Sequence, residues 1–341
     1  MIFDAIPGAS GPDAENEEQI AAAKIQKLTI PRTEGKLMHN KFFVLTRNSK
    51  PVAVWTGSTN LTENGIFGHS NCGHVVEDKD VASTYFTYWQ KLKSDPDPND
   101  TKDWIGAENV APPNPWSDDT TVVFSPRRNL DPLNWYGEIA GGAQKGLFMT
   151  FAFGMNKIFQ QVYEQNDGVL RFALMEKEGN GKGLEQGRKD VRRIRSLPNV
   201  VVAVGNNMSL NTFDRWLKEI DRVTKEVNVR WIHTKYMLVD PLGDNPVVVT
   251  GSANFSDSST ETNDENMLVI RNDQRIADIY LGEFMRLHAH YAFREAVAIA
   301  SKSHDFGDWQ PKYLVPSADW QKDYFSQESQ RFLRRVYFAG P

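Results

Sequence analysis

"WIHTKYMLVD", residues 231–240, decides how this chain is read. The run is strand-like, rich in Trp, Ile, Tyr, Leu and Val, yet it carries His233, Lys235 and Asp240. Residues two apart on a strand share a face, so His233 and Lys235 point the same way. Asp240 lies an odd seven residues from His233 and faces away on a continuous strand; it is expected to brace the hairpin. "PLGDNP" (241–246) has turn composition, and "VVVTGSANF" (247–255) is expected to return antiparallel. That return brings Ser252 and Asn254 onto a common face alongside His233.

The outline recurs in "LMHNKFFVLT" at 37–46. Sliding the chain by 194 residues aligns 36–79 with the second half without a gap. His39 falls on His233, Lys41 on Lys235, Thr56 on Thr250, and Gly57, Ser58 and Asn60 on Gly251, Ser252 and Asn254. Here "RNSKP" (47–51) is the turn that sets Ser58 and Asn60 beside His39. Polar residues repeated at a constant spacing read as two halves of one site.

Each half offers an imidazole, an ammonium, a hydroxyl and an amide. Two lysines with neutral donors suit an anion whose charge is spread over several oxygens, and phosphate is the obvious candidate. Two histidines can divide the labour, one attacking phosphorus and the other protonating the leaving oxygen. A histidine so used needs an acceptor on its other nitrogen. Glu265, in "TNDENMLVI" (262–270), is expected to serve His233 in this way. The inferred site calls for no metal and no cofactor.

These residues resemble the phospholipase D superfamily, whose signature is His-x-Lys-x4-Asp followed by Gly-Ser-x-Asn. The second half carries it complete in His233, Lys235, Asp240, Gly251, Ser252 and Asn254, with Glu265 in the place of the family glutamate. The first half has His39, Lys41, Gly57, Ser58 and Asn60, but Thr46 stands where Asp is expected and Asn71 aligns with Glu265. The resemblance implies an α/β, two-lobed phospholipase D-like fold, with mixed β-sheets flanked by helices and one active site where the motifs meet. It implies that His39 attacks to form a phosphohistidine and that His233 acts as acid and then base. Lys41, Lys235, Asn60 and Asn254 would hold phosphate oxygens, with Ser58 and Ser252 in support. Asn71, lacking a carboxylate, would raise the basicity of His39 less.

The 341 residues can bury a large core. A net charge of −5 argues against a protein that coats nucleic acid unspecifically, and no stretch is apolar enough to cross a membrane. Cys72 is alone, which excludes an intramolecular disulfide and is compatible with a cytoplasmic location. The opening lacks the basic start and apolar run of a secretory signal, and location stays open. His69 and His74 flank Cys72 without a further ligand set, so polar packing is the expectation there. Lys182, Arg188, Lys189, Arg192, Arg193 and Arg195 form a basic run that reads first as a solvated helix face. His288 and His290 read as structural.

Residues 1–19 read as a flexible acidic lead-in, 20–93 as the first, incomplete half, 94–119 as a linker, 120–303 as the second half and 304–341 as a tail. Strands are expected at 120–126, 146–153, 170–175 and 199–204, helices near 155–165, 185–196 and 211–226, and a long helix over 275–302. About 113 residues of α/β pattern (120–232) precede His233 but 38 precede His39, so the first lobe is expected to be truncated, with an exposed strand edge. The expected partner is a phospholipid or another phosphodiester. Nucleic acid is less favoured; an endonuclease of the same superfamily and a non-catalytic phosphodiester binder are the alternatives, and the oligomeric state is left open.

Overall fold

The computed structural model describes residues 1–6, 13–114, 116, 120–179, 183–205, 231–300 and 317–340. The helix expected over 211–226, Lys182 of the basic run and the start of the tail, 304–316, lie outside these residues. The chain forms two compact units. One comprises Met1–Asn60, Cys72–Tyr136 and Val249–Arg271; the other comprises Leu61–Asn71, Gly137–Val248 and Asn272–Pro341. Each unit therefore takes a segment from the opposite half of the sequence.

In the first unit, strands Phe42–Arg47, Lys50–Gly57 and Gly73–Val76 make an antiparallel sheet in that order. The expected turn sits at Asn48 and Ser49, both at positive φ (51° and 61°), the backbone a tight hairpin demands and Asn tolerates. Helix Lys79–Lys93 covers one face. Asp78 caps it by accepting from the amides of Asp80 and Val81. Its buried Tyr85 and Tyr88 pack on Phe42, with ring centroids 5.1 and 6.1 Å apart. Strand Asn263–Arg271 runs antiparallel to Thr121–Ser125 and parallel to the short strand Leu37–Met38.

The second unit holds parallel strands Gly146–Phe151, Leu170–Met175 and Val200–Val204, with Tyr236–Val239 antiparallel to the first of them. Runs such as "GLFMTF" and "LRFALM" are buried throughout, as strands covered on both faces require. Helices Lys157–Tyr163, Leu184–Arg195 and Gln274–Ala300 belong to this unit. Phe148 stacks on Phe172, and the Phe284 ring meets Phe148 edge-on. The tail ends in helix Gln330–Ala339, which lays Tyr337 on Phe148. The result is a mixed α/β fold with a mixed sheet flanked by helices, as the resemblance implies.

Two segments differ from expectation. Residues 94–119 hold a helix, Pro98–Glu108, rather than a plain linker: Asp97 accepts from Asn99 and Asp100 at its start, and Pro98 occupies the first helical position, where no amide is needed. The lead-in holds strand Ile2–Asp4, paired with Ile30–Arg32, and helix Asp13–Ala22. Three-residue strands are too short to show an alternation.

The two histidine-bearing halves are unequal in what covers them. Phe43, Leu45 and Val75 are 47%, 59% and 57% exposed, whereas Met237, Val239 and Val269, one repeat further on, are 0%, 5% and 0% exposed. Strand Phe42–Arg47 is the end strand of its sheet, whereas Tyr236–Val239 has Gly146–Phe151 as a neighbour.

Candidate active site

The Gly-Ser pairs are fixed by close backbone approach. A Cβ on Gly57 would lie 2.1 Å from the Cys72 carbonyl oxygen, and one on Gly251 would lie 2.2 Å from that of Asn266. The following serines complete the join. Ser58 N–H donates to Cys72 O (2.8 Å) and its Oγ accepts from Cys72 N (3.0 Å). Ser252 N–H donates to Asn266 O (2.9 Å) and its Oγ accepts from Asn266 N (2.9 Å). Ser58 and Ser252 therefore brace their returning strands. The Ser252 hydroxyl also donates to Glu265 Oε2 at 2.7 Å, so it holds the glutamate.

The first unit contains His39, Lys41, Ser58, Asn60, Ser252, Asn254 and Glu265. Leu37 and Met38 pair with Asn263 and Asp264, and His39 N–H donates to Asp264 O at 3.0 Å. This register sets His39 Nδ1 2.7 Å from Glu265 Oε2. Burial pushes the Glu265 carboxyl up, but His39, Lys41 and the Ser252 hydroxyl outweigh it and hold it below its usual range. The carboxylate is thus ionised, and Nδ1–H of His39 donates to it. Asn263 Nδ2 donates to the other oxygen at 3.3 Å. Beneath the pair, the buried Arg32 guanidinium donates from Nε to Asp264 (3.0 Å) and from Nη1 to Asp95 (2.9 Å) and to the Pro96 carbonyl. Asn254 Oδ1 is buried without a hydrogen-bond partner among the described residues.

The second unit contains His233, Lys235, Asp240 and the exchanged segment that ends at Asn71. Trp231 and Ile232 pair with His69 and Ser70, and His233 N–H donates to Ser70 O at 3.1 Å. His233 Nδ1 is 2.8 Å from Asn71 Oδ1, an atom that only accepts. The Asn71 amide nitrogen donates to Gly65 O, which orients it. The His69 ring lies 5.2 Å from that of His233. Burial, and then Lys235, lower the proton affinity of His69, which keeps it neutral beside its neighbour.

The histidine partners are therefore exchanged relative to expectation. Glu265 serves His39, not His233, and Asn71 serves His233. The sequence repeat matches equivalent positions, but each histidine bonds to the segment contributed by the opposite half. The weaker partner accordingly falls on the second histidine. Each acceptor fixes a hydrogen on Nδ1 of its ring.

The two departures in the first motif separate as well. Asp240, at φ 46°, accepts from the amides of Gln144, Lys145 and Gly146 at 2.7–2.8 Å and so caps the start of the strand beside its own. At Thr46 the register shifts, and its strand has no neighbour on that side among the described residues. An Asp there would have no such turn to cap.

The lysines match one another. Lys41 Nζ donates to His39 O, and Lys235 Nζ donates to His233 O at 2.6 Å. Burial brings the Lys41 ammonium down to about 8, with Glu265 opposing. The cation is present below that value and lost above it. Binding of inorganic phosphate, followed calorimetrically, is expected to weaken as pH rises through about 8. Lys41→Arg, which stays charged, should flatten that decline; an unchanged decline would exclude Lys41 as its source.

Asn263 and Arg32 are site residues that sequence reasoning passed over, and His69 is one that it assigned to polar packing. For His69 the alignment held the cue, since it lies opposite Asn263 in the repeat.

A family model described as a cardiolipin synthase, PLD-like domain matches residues 199–288. Among solved structures, a phosphatidylserine synthase from Haemophilus influenzae is similar over 84% of this chain and 73% of its own, at 13% identity and TM-score 0.55. Nuc from Salmonella typhimurium, described as a phospholipase D family member, is similar over 51% of this chain and 95% of its own, at 16% identity and TM-score 0.37. NucT from Helicobacter pylori is similar over 50% and 94%, at 15% identity and TM-score 0.38. No curated protein sequence matches. The family-model match falls on the half that carries the complete motif, so residues 199–288 are similar to a phospholipase D-like domain, and the chain shares its fold with the synthase.

Proposed function

We propose that the protein is a phosphodiesterase or phosphatidyl transferase that acts on a phospholipid through a phosphohistidine. The observation that carries this is the unlike pair of histidine partners, a buried carboxylate on His39 and a neutral amide on His233. When Nε2 of His39 bonds to phosphorus, its ring becomes cationic, and Glu265 stabilises that cation. The leaving oxygen takes its proton from Nε2 of His233. An amide stabilises an imidazolium less than a carboxylate does, which suits a group that must give a proton up and take it back. Water or an alcohol then attacks phosphorus, His233 removes its proton, the N–P bond breaks and His39 is restored. Lys41, Lys235, Asn60 and Asn254 would hold the phosphate oxygens.

Support for a lipid over a nucleic acid comes from the basic helix. Arg188 pairs with Glu178, Arg193 with Glu164 and Asp190, and Arg195 with Glu295, so much of its charge is already answered within the chain. No described helix is long and apolar enough to cross a membrane.

The test offers phosphatidylcholine, cardiolipin and oligonucleotides in excess chelator. Release or exchange of a lipid headgroup is expected; cutting of oligonucleotides alone would replace the lipid reading with a nuclease. Orthovanadate, which mimics five-coordinate phosphorus, should bind the wild type and be lost in either His39→Ala or His233→Ala. Retention by one variant would show that the two rings do not act on one phosphorus.

A further inference from the structure

Glu176 follows strand Leu170–Met175, is almost wholly buried, and has no role in the chemistry above. Its Oε2 accepts the amide hydrogen of Ile232, the residue before His233, at 2.8 Å. Its own amide donates to Phe151 O, which ties it to the central sheet of its unit. The site is close-fitting: a Cβ on Gly205 would lie 3.1 Å from that oxygen and 3.2 Å from the Tyr291 ring. Among the described residues it has no ion-pair partner. Burying a carboxylate without a cation is costly, and a neutral side chain could accept the same bond.

We infer that Glu176 is the positioning residue for His233, holding the strand that carries the imidazole so that its ring stays against Asn71. Strand Trp231–Ile232 is two residues long and pairs with His69–Ser70. The Ile232 amide is thus tied to the central sheet by Glu176, while the next amide, that of His233, is tied to Ser70.

Burial raises the carboxyl to about 7, opposed by the Ile232 amide and by Lys177 and Arg294. The groups that face it are Tyr291 and Arg294 from the long helix and Lys177 from its own strand end. Above that value the carboxylate accepts strongly; below it the carboxyl is protonated and accepts weakly. The inference rests on the proposed role of His233, so its test has an arm that needs no turnover.

In nuclear magnetic resonance of the full chain, the Ile232 amide proton is expected to titrate near pH 7 in the wild type and not in Glu176→Gln. Glu176→Ala should move the His233 ring signals away from the Nδ1–H tautomer, and Glu176→Gln should restore them in large part. In kinetics, Glu176→Ala is expected to lower kcat about 100-fold at nearly constant KM, as a small displacement of a reacting group does. Glu176→Gln should recover most of that loss. If His233 signals are unchanged in both variants, the inference falls, whatever the substrate. If they move as expected but no phosphodiester is turned over, the positioning stands and the proposed function falls.

Discussion

His39→Ala is expected to lower turnover by at least about 10⁴-fold and to abolish any covalent phosphoenzyme. The loss should be this large because the buried Glu265 carboxylate fixes the His39 tautomer and so directs Nε2 to phosphorus in the proposed mechanism. The complementary experiment uses His233→Ala with substrate labelled at phosphorus. Breakdown of the intermediate needs a base to activate the acceptor, so label should accumulate on His39, on the nitrogen that does not face Glu265. Quenching must be alkaline, since a phosphorus–nitrogen bond to imidazole hydrolyses in acid. Glu265→Gln should slow formation of the labelled species, because the cation that develops on His39 would lose its counter-charge. Label on residue 233, or direct attack by water with no label on either ring, would overturn the assignment of roles.

Arg32→Met is expected to destabilise the protein by about 3–5 kcal/mol, the usual cost of leaving one member of a buried ion pair alone. Arg32 is 1% exposed and its more deeply buried carboxylate partner, Asp264, is 5% exposed. Burial already lifts Asp264 to about 6 although the guanidinium opposes it. The folded chain therefore holds a proton there that the unfolded chain releases at about 4, and this group's contribution to stability declines as pH rises from about 4 to about 6. Removing Arg32 takes away the opposing influence, so the deficit in urea unfolding should be larger at pH 7.5 than at pH 5. Adding Asp264→Leu should return part of the loss, because no lone charge then remains buried. A single variant within about 1 kcal/mol of wild type at both pH values would show that the network carries little.

Much of the site was legible because its chemistry is local. His39 and Lys41, like His233 and Lys235, lie two apart on a strand, and the Gly-Ser-x-Asn returns follow within one hairpin. Asp240 could be assigned a bracing role from its odd offset alone, although it caps residues 144–146 rather than its own turn. What could not be read was the choice of partner for each imidazole. A repeat records which positions are equivalent, not which of two equivalent segments lies beside which strand. Arg32 and Glu176 were hidden for a related reason: each acts through a backbone or carboxylate contact far away in sequence, and neither breaks the pattern of its own strand. The helix at Pro98–Glu108 was obscured by composition, since its Asp, Asn and Pro residues are capping signals at one end of a helix and loop signals elsewhere.

The exchange of segments has a consequence for biosynthesis. His39 leaves the ribosome 226 residues ahead of the carboxylate it bonds. At ordinary rates of translation that is a delay of about 10–45 s. Throughout it the nascent first half has neither strand 263–271 nor its glutamate, while segment 61–71 waits for a histidine 162 residues downstream of Asn71. Neither half can be matured as it emerges, and the exposed row at Phe43, Leu45 and Val75 is open to nascent-chain chaperones for the whole of that interval.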